Sequence, residues 1–212
     1  MTRPRIVAVD PGPDCGVVVY DPEISAPIVF AGRIPALALR PMLRDRRLTP
    51  LDVNGDEVSL TGPHVLAIEV MRARGKPTSN DEFDTCILTG RLIEAWGDPW
   101  APVFRRDVKM ALLGEAAAND AMIRAELVER FGGEKVALER PRKCEACDGK
   151  GKIYGGAVLA PPEKRKRVWI PCDVCHETGR VGKDGPLLHV VRDTLAALAV
   201  AVTYNLKGAS KL

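Results

Sequence analysis

The chain has 212 residues, 46% of them hydrophobic and 28% charged, which is enough for one full domain with an insertion, too little for two large domains, and inconsistent with a wholly disordered chain. No run of 18 or more apolar residues is present to span a bilayer, which excludes a helical membrane protein. The net charge of +3 conceals a split, because residues 140–183 carry eleven Lys or Arg against five Asp or Glu, a surplus of +6 that leaves −3 on the rest. The basic segment suits a polyanion, or else an ordinary solvated surface.

Met1-Thr2-Arg3-Pro4-Arg5 leads into a short apolar strand without the features of a secretory signal, so a cytoplasmic location is expected. Ile6-Val7-Ala8-Val9 predicts that first strand, stopped by the turn Asp10-Pro11-Gly12-Pro13. A second strand follows through Cys15-Gly16-Val17-Val18-Val19-Tyr20 and a third at Ile28-Val29-Phe30, the three forming an antiparallel meander. Leu37, Leu39, Leu43 and Leu48 among arginines predict a helix over 36–48. After a loop rich in Pro, Gly and Asp, Val65-Leu66-Ala67-Ile68 predicts a strand ending at Glu69, followed by the basic loop Arg72-Ala73-Arg74-Gly75-Lys76-Pro77. Ser79 and Glu82 form a capping box that opens a helix through Ile87, Leu88, Leu92, Ile93 and Trp96. Residues 101–104 predict a fifth strand, and Asn119 or Asp120 caps a helix ending at Gly132-Gly133. A last helix over 186–205, apolar nearly all round, belongs in the centre of the domain. Cys15 and Cys86 fall in patterns that predict burial.

The other four cysteines lie in the basic segment as Cys144-Glu145-Ala146-Cys147 and Cys172-Asp173-Val174-Cys175. Two C-x-x-C knuckles in a reducing compartment point to one tetrahedral four-cysteine Zn²⁺ site; a redox dithiol is the competing reading of either knuckle alone. The knuckles resemble the zinc module of DnaJ-type chaperones, C-x-x-C-x-G-x-G, which the first matches fully and the second only as C-x-x-C-x-x-x-G. About forty residues cannot bury enough apolar surface to order themselves, so a metal is expected to do it. The expected division is a main domain of residues 1–139 and 184–212, interrupted by a zinc-binding insertion of residues 140–183.

Three carboxylates carry the chemistry. Asp10 and Glu69 end two strands, and Asp193 stands in the apolar run Leu187-Leu188-His189-Val190-Val191-Arg192-Asp193-Thr194-Leu195, with His189 four residues before it. An ionised acid in such a helix needs a cation or hydrogen bonds. A self-satisfied His189–Asp193 pair is one reading of the last two, and a turn-forming Asp before Pro-Gly is one reading of the first.

Taken in order, the elements and acids resemble the ribonuclease H-like α/β fold, a mixed five-stranded sheet flanked by helices. In detail they resemble the RuvC-type Holliday-junction resolvases, particularly phage-encoded ones, with the host cytoplasm as the location implied. The matching residues are Ile6-Val7-Ala8-Val9-Asp10-Pro11-Gly12 with Cys15-Gly16, then Ala67-Ile68-Glu69, Arg106-Asp107-Val108-Lys109 with Gly114, and Ala197-Leu198-Ala199-Val200-Ala201. The resemblance implies phosphodiester hydrolysis with two Mg²⁺ (or Mn²⁺) ions about 4 Å apart. Asp10 would bridge them, Glu69 and Asp193 complete them, and His189 ligate or polarise the attacking water. Lys109 would contact a phosphate or the leaving group, unless it is a solvated surface lysine. The chain departs from the family in one respect: the position three after Asp193, where a second acid is usual, is Ala196.

Arg72, Arg74 and Lys76 follow Glu69 directly and would contact the backbone of branched DNA. The run Lys164-Arg165-Lys166-Arg167 beside Trp169 reads as a second basic grip, or as the surface of a structural lobe. Cutting both strands of a two-fold symmetric four-way junction implies a homodimer. The alternatives are a flap or other branched-DNA nuclease, a ribonuclease of the same fold, a catalytically silent junction binder, and a chaperone-type protein-binding module lacking the His-Pro-Asp J-domain signature.

Overall fold

Four apolar residues in a row with no polar face suit a strand covered on both sides, and the computed structural model places Ile6-Val7-Ala8-Val9 at the centre of a sheet. The structure describes residues 3–49, 57–72, 79–97, 99–139, 142–148, 150, 152–160, 164–172, 180–181, 186–187, 190 and 193–209. In chain order the elements begin with β1 (Arg5–Asp10), β2 (Asp14–Tyr20), β3 (Ile28–Pro35), α1 (Ala36–Arg44), β4 (Arg47–Leu48), β5 (Val58–Ser59) and β6 (His64–Glu69). There follow α2 (Asn80–Trp96), β7 (Trp100–Val103), α3 (Arg105–Leu113), α4 (Asp120–Arg130), α5 (Gly133–Ala137) and β8 (Arg142–Lys143). The last are β9 (Lys152–Ala160), β10 (Lys164–Pro171), β11 (Arg180–Val181) and α6 (Asp193–Ala209). The chain divides into two compact units, Met1–Phe131 with His189–Leu212, and Gly132–Leu188.

In the first unit the sheet order is β3-β2-β1-β6-β7. The meander β1-β2-β3 is antiparallel, while β6 and β7 run parallel to β1, so the sheet is mixed. Val7 and Val9 of β1 and Leu66 and Ile68 of β6 share a buried cluster with Leu39 and Leu43 of α1 and Leu92 and Trp96 of α2. Each such aliphatic contributes about 1.5–3 kcal/mol by leaving water. The alternate residues Ala8 and Ala67, paired across β1 and β6, turn small side chains to the other face, where α6 packs against β1, β2 and β6. The five consecutive residues Ala197-Leu198-Ala199-Val200-Ala201 are fully buried there.

The capping box at Ser79 is present, with Ser79 Oγ accepting from Glu82 N and Glu82 Oε2 from Ser79 N. Asn119, rather than Asp120, caps α4, its side chain accepting from Met122 N at 3.0 Å. Three expectations are corrected. The first helix ends at Arg44, not at 48, because Arg46 adopts φ 56° and lays its guanidinium 3.5 Å over the Trp96 ring while donating to the Trp96 carbonyl at 2.7 Å. Leu48 then lies buried in β4, and Leu37 is 92% exposed. The last helix does not extend over 186–190 as expected: Pro186-Leu187 form a turn, Val190 belongs to no regular element, and α6 is Asp193–Ala209. Cys15 is buried as expected, but Cys86 is exposed on α2.

The second unit holds α5 and two antiparallel ladders, β9 with β10 and β8 with β11. The run Lys164-Arg165-Lys166-Arg167 forms the first half of β10, paired with residues 157–160 of β9. Among the described residues no helix is long and apolar enough to cross a membrane.

Candidate active site

Because β1 and β6 are parallel neighbours in register Val9↔Ile68, their last residues, Asp10 and Glu69, leave the sheet side by side at its carboxyl edge. Open α/β sheets bind ligands at this edge. On the other side of β1, Asp10 pairs with Gly16 of β2, and Gly16 pairs with Arg33 of β3. Gly16 is the notch over which α6 begins: a Cβ there would stand 2.0 Å from the carbonyl oxygen of Asp193 and 2.9 Å from Thr194 N. Asp193 therefore enters the site from the first turn of α6, where the helix dipole favours a carboxylate. Arg33 holds it, Nε to Oδ2 at 2.9 Å, and reaches Asp14 with Nη2 at 3.1 Å.

The three acids open onto one cavity of about 470 Å³. Arg105 of α3 and Asp120 of α4 line it too, and Ile123, Leu195 and Ala196 give it an apolar wall. Nη1 of Arg105 lies 3.4 Å from Glu69 Oε2, and its Nη2 is bonded to Asp120 Oδ1. Burial pushes the Asp10 carboxyl up to about 7; the negative charge of Glu69 adds to the rise, Arg105 opposes it, and Asp193 and Asp120 add the remainder. Hard oxygen donors crowded until one resists ionising fit Mg²⁺ or Mn²⁺, which would supply the missing positive charge.

Asp10, Glu69 and Asp193 are thus brought together. Lys109 sits one turn beyond Arg105 on α3 and is not among the described residues lining the cavity. His189, Arg74, Lys76 and Cys175 lie outside the described residues. Arg72, just after β6, places its guanidinium 4.5 Å above the Phe104 ring. Arg105, Asp120 and Arg33 were not singled out from the sequence as site residues. The sequence signal that could have found Arg105 is its position just after the fifth predicted strand, residues 101–104; the structure adds that this strand, β7, runs parallel to β6, which carries Glu69.

In the second unit, Cys144, Cys147 and Cys172 are buried with their Sγ atoms within 4.8 Å of one another. Sγ of Cys144 and Sγ of Cys172 are 3.8 Å apart, close to the edge of a tetrahedron with bonds of about 2.3 Å, as thiolates around zinc adopt. The pairing of β8 with β11 brings the two knuckle regions together.

The chain is similar over nearly its whole length to Thermus thermophilus RuvC. With that protein in complex with Holliday junction substrate it is 14% identical at a TM-score of 0.50, covering 99% of this chain and 97% of the other. With another structure of the same protein it is 12% identical at 0.48, covering 98% and 96%. No family model and no curated protein matches the chain. The fold is ribonuclease H-like, a mixed five-stranded sheet flanked by helices.

Proposed function

We propose that the chain is a divalent-metal-dependent endodeoxyribonuclease that cuts four-way DNA junctions. The observation that carries this reading is the convergence of Asp10, Glu69 and Asp193, from β1, β6 and α6, in one cavity at the carboxyl edge of the sheet. The Holliday junction bound by the structurally similar RuvC supports the choice of substrate. Mg²⁺ or Mn²⁺, when bound, activates water at neutral pH and neutralises the departing 3′-oxygen. Asp10, Glu69 and Asp193 would hold the cations, with Asp10, which stands between Glu69 and the notch at Gly16, as the ligand common to both. His189 is the further ligand or water-orienting group, in a chain where Ala196 provides no carboxylate. Lys109 and Arg72, with Arg74 and Lys76, hold the phosphate backbone.

Zinc on Cys144, Cys147, Cys172 and Cys175 orders the inserted module of residues 140–183, whose strand Lys164-Arg165-Lys166-Arg167 is the second DNA grip. One equivalent of zinc is expected per chain. Cys147→Ser should lose that zinc, measured by metal analysis, and render the second unit sensitive to protease while the first resists; a zinc-free wild-type chain with an intact second unit would reject the site.

Two active sites are required for the two opposed strands of a junction. Phe83 and Ile87, one turn apart on α2 and 59% and 54% exposed, form the surface we assign to the second copy of this chain.

The deciding experiment is cleavage of a labelled four-way junction beside a flap and a plain duplex, with Mg²⁺ or EDTA. Paired symmetric nicks on the junction alone, abolished by EDTA and by an Ile87→Glu chain that sediments as a monomer, are expected. Unpaired cutting of flaps would make it a general branch nuclease. Tight junction binding without cutting would make it a binder.

A further inference from the structure

Arg105 opens α3, and its side chain is only 23% exposed in a cavity whose other polar lining residues, Asp10, Glu69, Asp120 and Asp193, are all acids. Its two ends have different partners: Nη1 faces Glu69 at 3.4 Å, and Nη2 is bonded to Asp120 at the start of α4. Burial opposes its charge, but Glu69 and Asp120 hold the guanidinium more firmly protonated than usual. Asp120 is 80% exposed, so packing does not fix its carboxylate at the rim of the cavity; the bond to Arg105 does.

A guanidinium beside Glu69 and a divalent cation on Glu69 repel one another, so the two compete for that carboxylate. Released from Glu69, a long side chain would ordinarily swing into solvent. Asp120 prevents this, because it grips the opposite nitrogen from a separate helix. The freed end then faces the space in which a phosphodiester must lie to reach Asp10 and Glu69, and the planar fork suits phosphate oxygens better than an ammonium does.

We propose that Arg105 exchanges partners: it is the counter-charge of Glu69 in the metal-free protein and the phosphate-binding group of the site once cations and DNA are present, with Asp120 as the residue that positions it. The inference rests on the nuclease reading and adds to it a cationic residue and its holder.

The test is Mn²⁺ binding to the full chain without DNA, followed by the electron paramagnetic resonance of free Mn²⁺. Arg105→Gln is expected to tighten binding about tenfold by removing the competitor. Asp120→Asn is expected to weaken it in the wild-type background, because the guanidinium then falls wholly to Glu69, and to change it less than about twofold in an Arg105→Gln background, as coupling through one side chain requires. Arg105→Lys, which keeps the charge, should stay within about twofold of wild type, and it serves as the folded control. With Ca²⁺ in place of Mn²⁺, Arg105→Gln should lower the slope of junction affinity against salt by about one phosphate contact per site.

Unchanged or weaker Mn²⁺ binding by Arg105→Gln, or an unchanged salt slope, overturns the exchange. Equal weakening by Asp120→Asn in both backgrounds makes Asp120 a direct ligand and overturns its positioning role. Wild-type chain that binds no Mn²⁺ and cuts no junction would instead defeat the nuclease reading, so the two failures are told apart.

Discussion

Asp10→Asn is expected to lower junction cleavage at least about 10³-fold and, in the same molecule, to stabilise the metal-free protein at neutral pH. The two effects share one cause. The carboxyl of Asp10 is pushed up to about 7 by burial and by Glu69, against 3.8 for the free side chain. Between pH 4 and 7 the folded chain therefore holds a proton that the unfolded chain has lost, so stability falls as pH rises through this window and is lowest above it. The cost at pH 8 is about 2–4 kcal/mol. Asn carries no charge, so the variant should melt higher than wild type at pH 8 and about equally at pH 4. Mg²⁺ should raise the wild-type melting temperature, by an amount that grows from pH 6 to 8, and leave the variant's unmoved. Thermal unfolding over pH 4–8 with and without Mg²⁺ reads all of this. A variant no more stable than wild type at pH 8 would show that Asp10 is not under electrostatic load.

Gly16→Ala is the second large effect, although the residue removed has no side chain. The added methyl would meet the backbone of Asp193 and Thr194, with atoms at 2.0, 2.3 and 2.9 Å. Backbone cannot rotate away as a side chain can, so the start of α6 must lift from β2. The expected cost is about 2–3 kcal/mol of stability, as for overpacking generally. A loss of roughly 10²-fold in cleavage by the remaining folded protein is expected because Asp193 is carried away from Asp10. Denaturant unfolding gives the first number and single-turnover cleavage at 25 °C the second. Wild-type cleavage by a folded Gly16→Ala chain would mean that the approach of α6 to β2 does not position the third acid.

Local physics made much of this legible without coordinates. The apolar runs of β1 and β6, each ended by an acid, place Asp10 and Glu69 at strand ends whatever surrounds them, and the Ser79–Glu82 capping box and the Asn119 cap act within a single turn. What stayed hidden was decided by partners distant in sequence. The first helix stops at Arg44 because Trp96, fifty residues past Arg46, receives the Arg46 guanidinium. The apolar run before Asp193 has helical composition, yet Leu187 lies in a turn and Val190 in no regular element, and Asp193, expected within a helix, stands in the first turn of α6. Arg105 is drawn into the site by Glu69, thirty-six residues earlier, and by Asp120, fifteen residues later. Composition and pattern determined the elements and the two acids at the strand ends, because those signals act between residues a few positions apart. Only the folding of α3, α4 and α6 onto the sheet edge decided which charges meet there, because an ion pair and a glycine notch exist only between surfaces that have already been brought together.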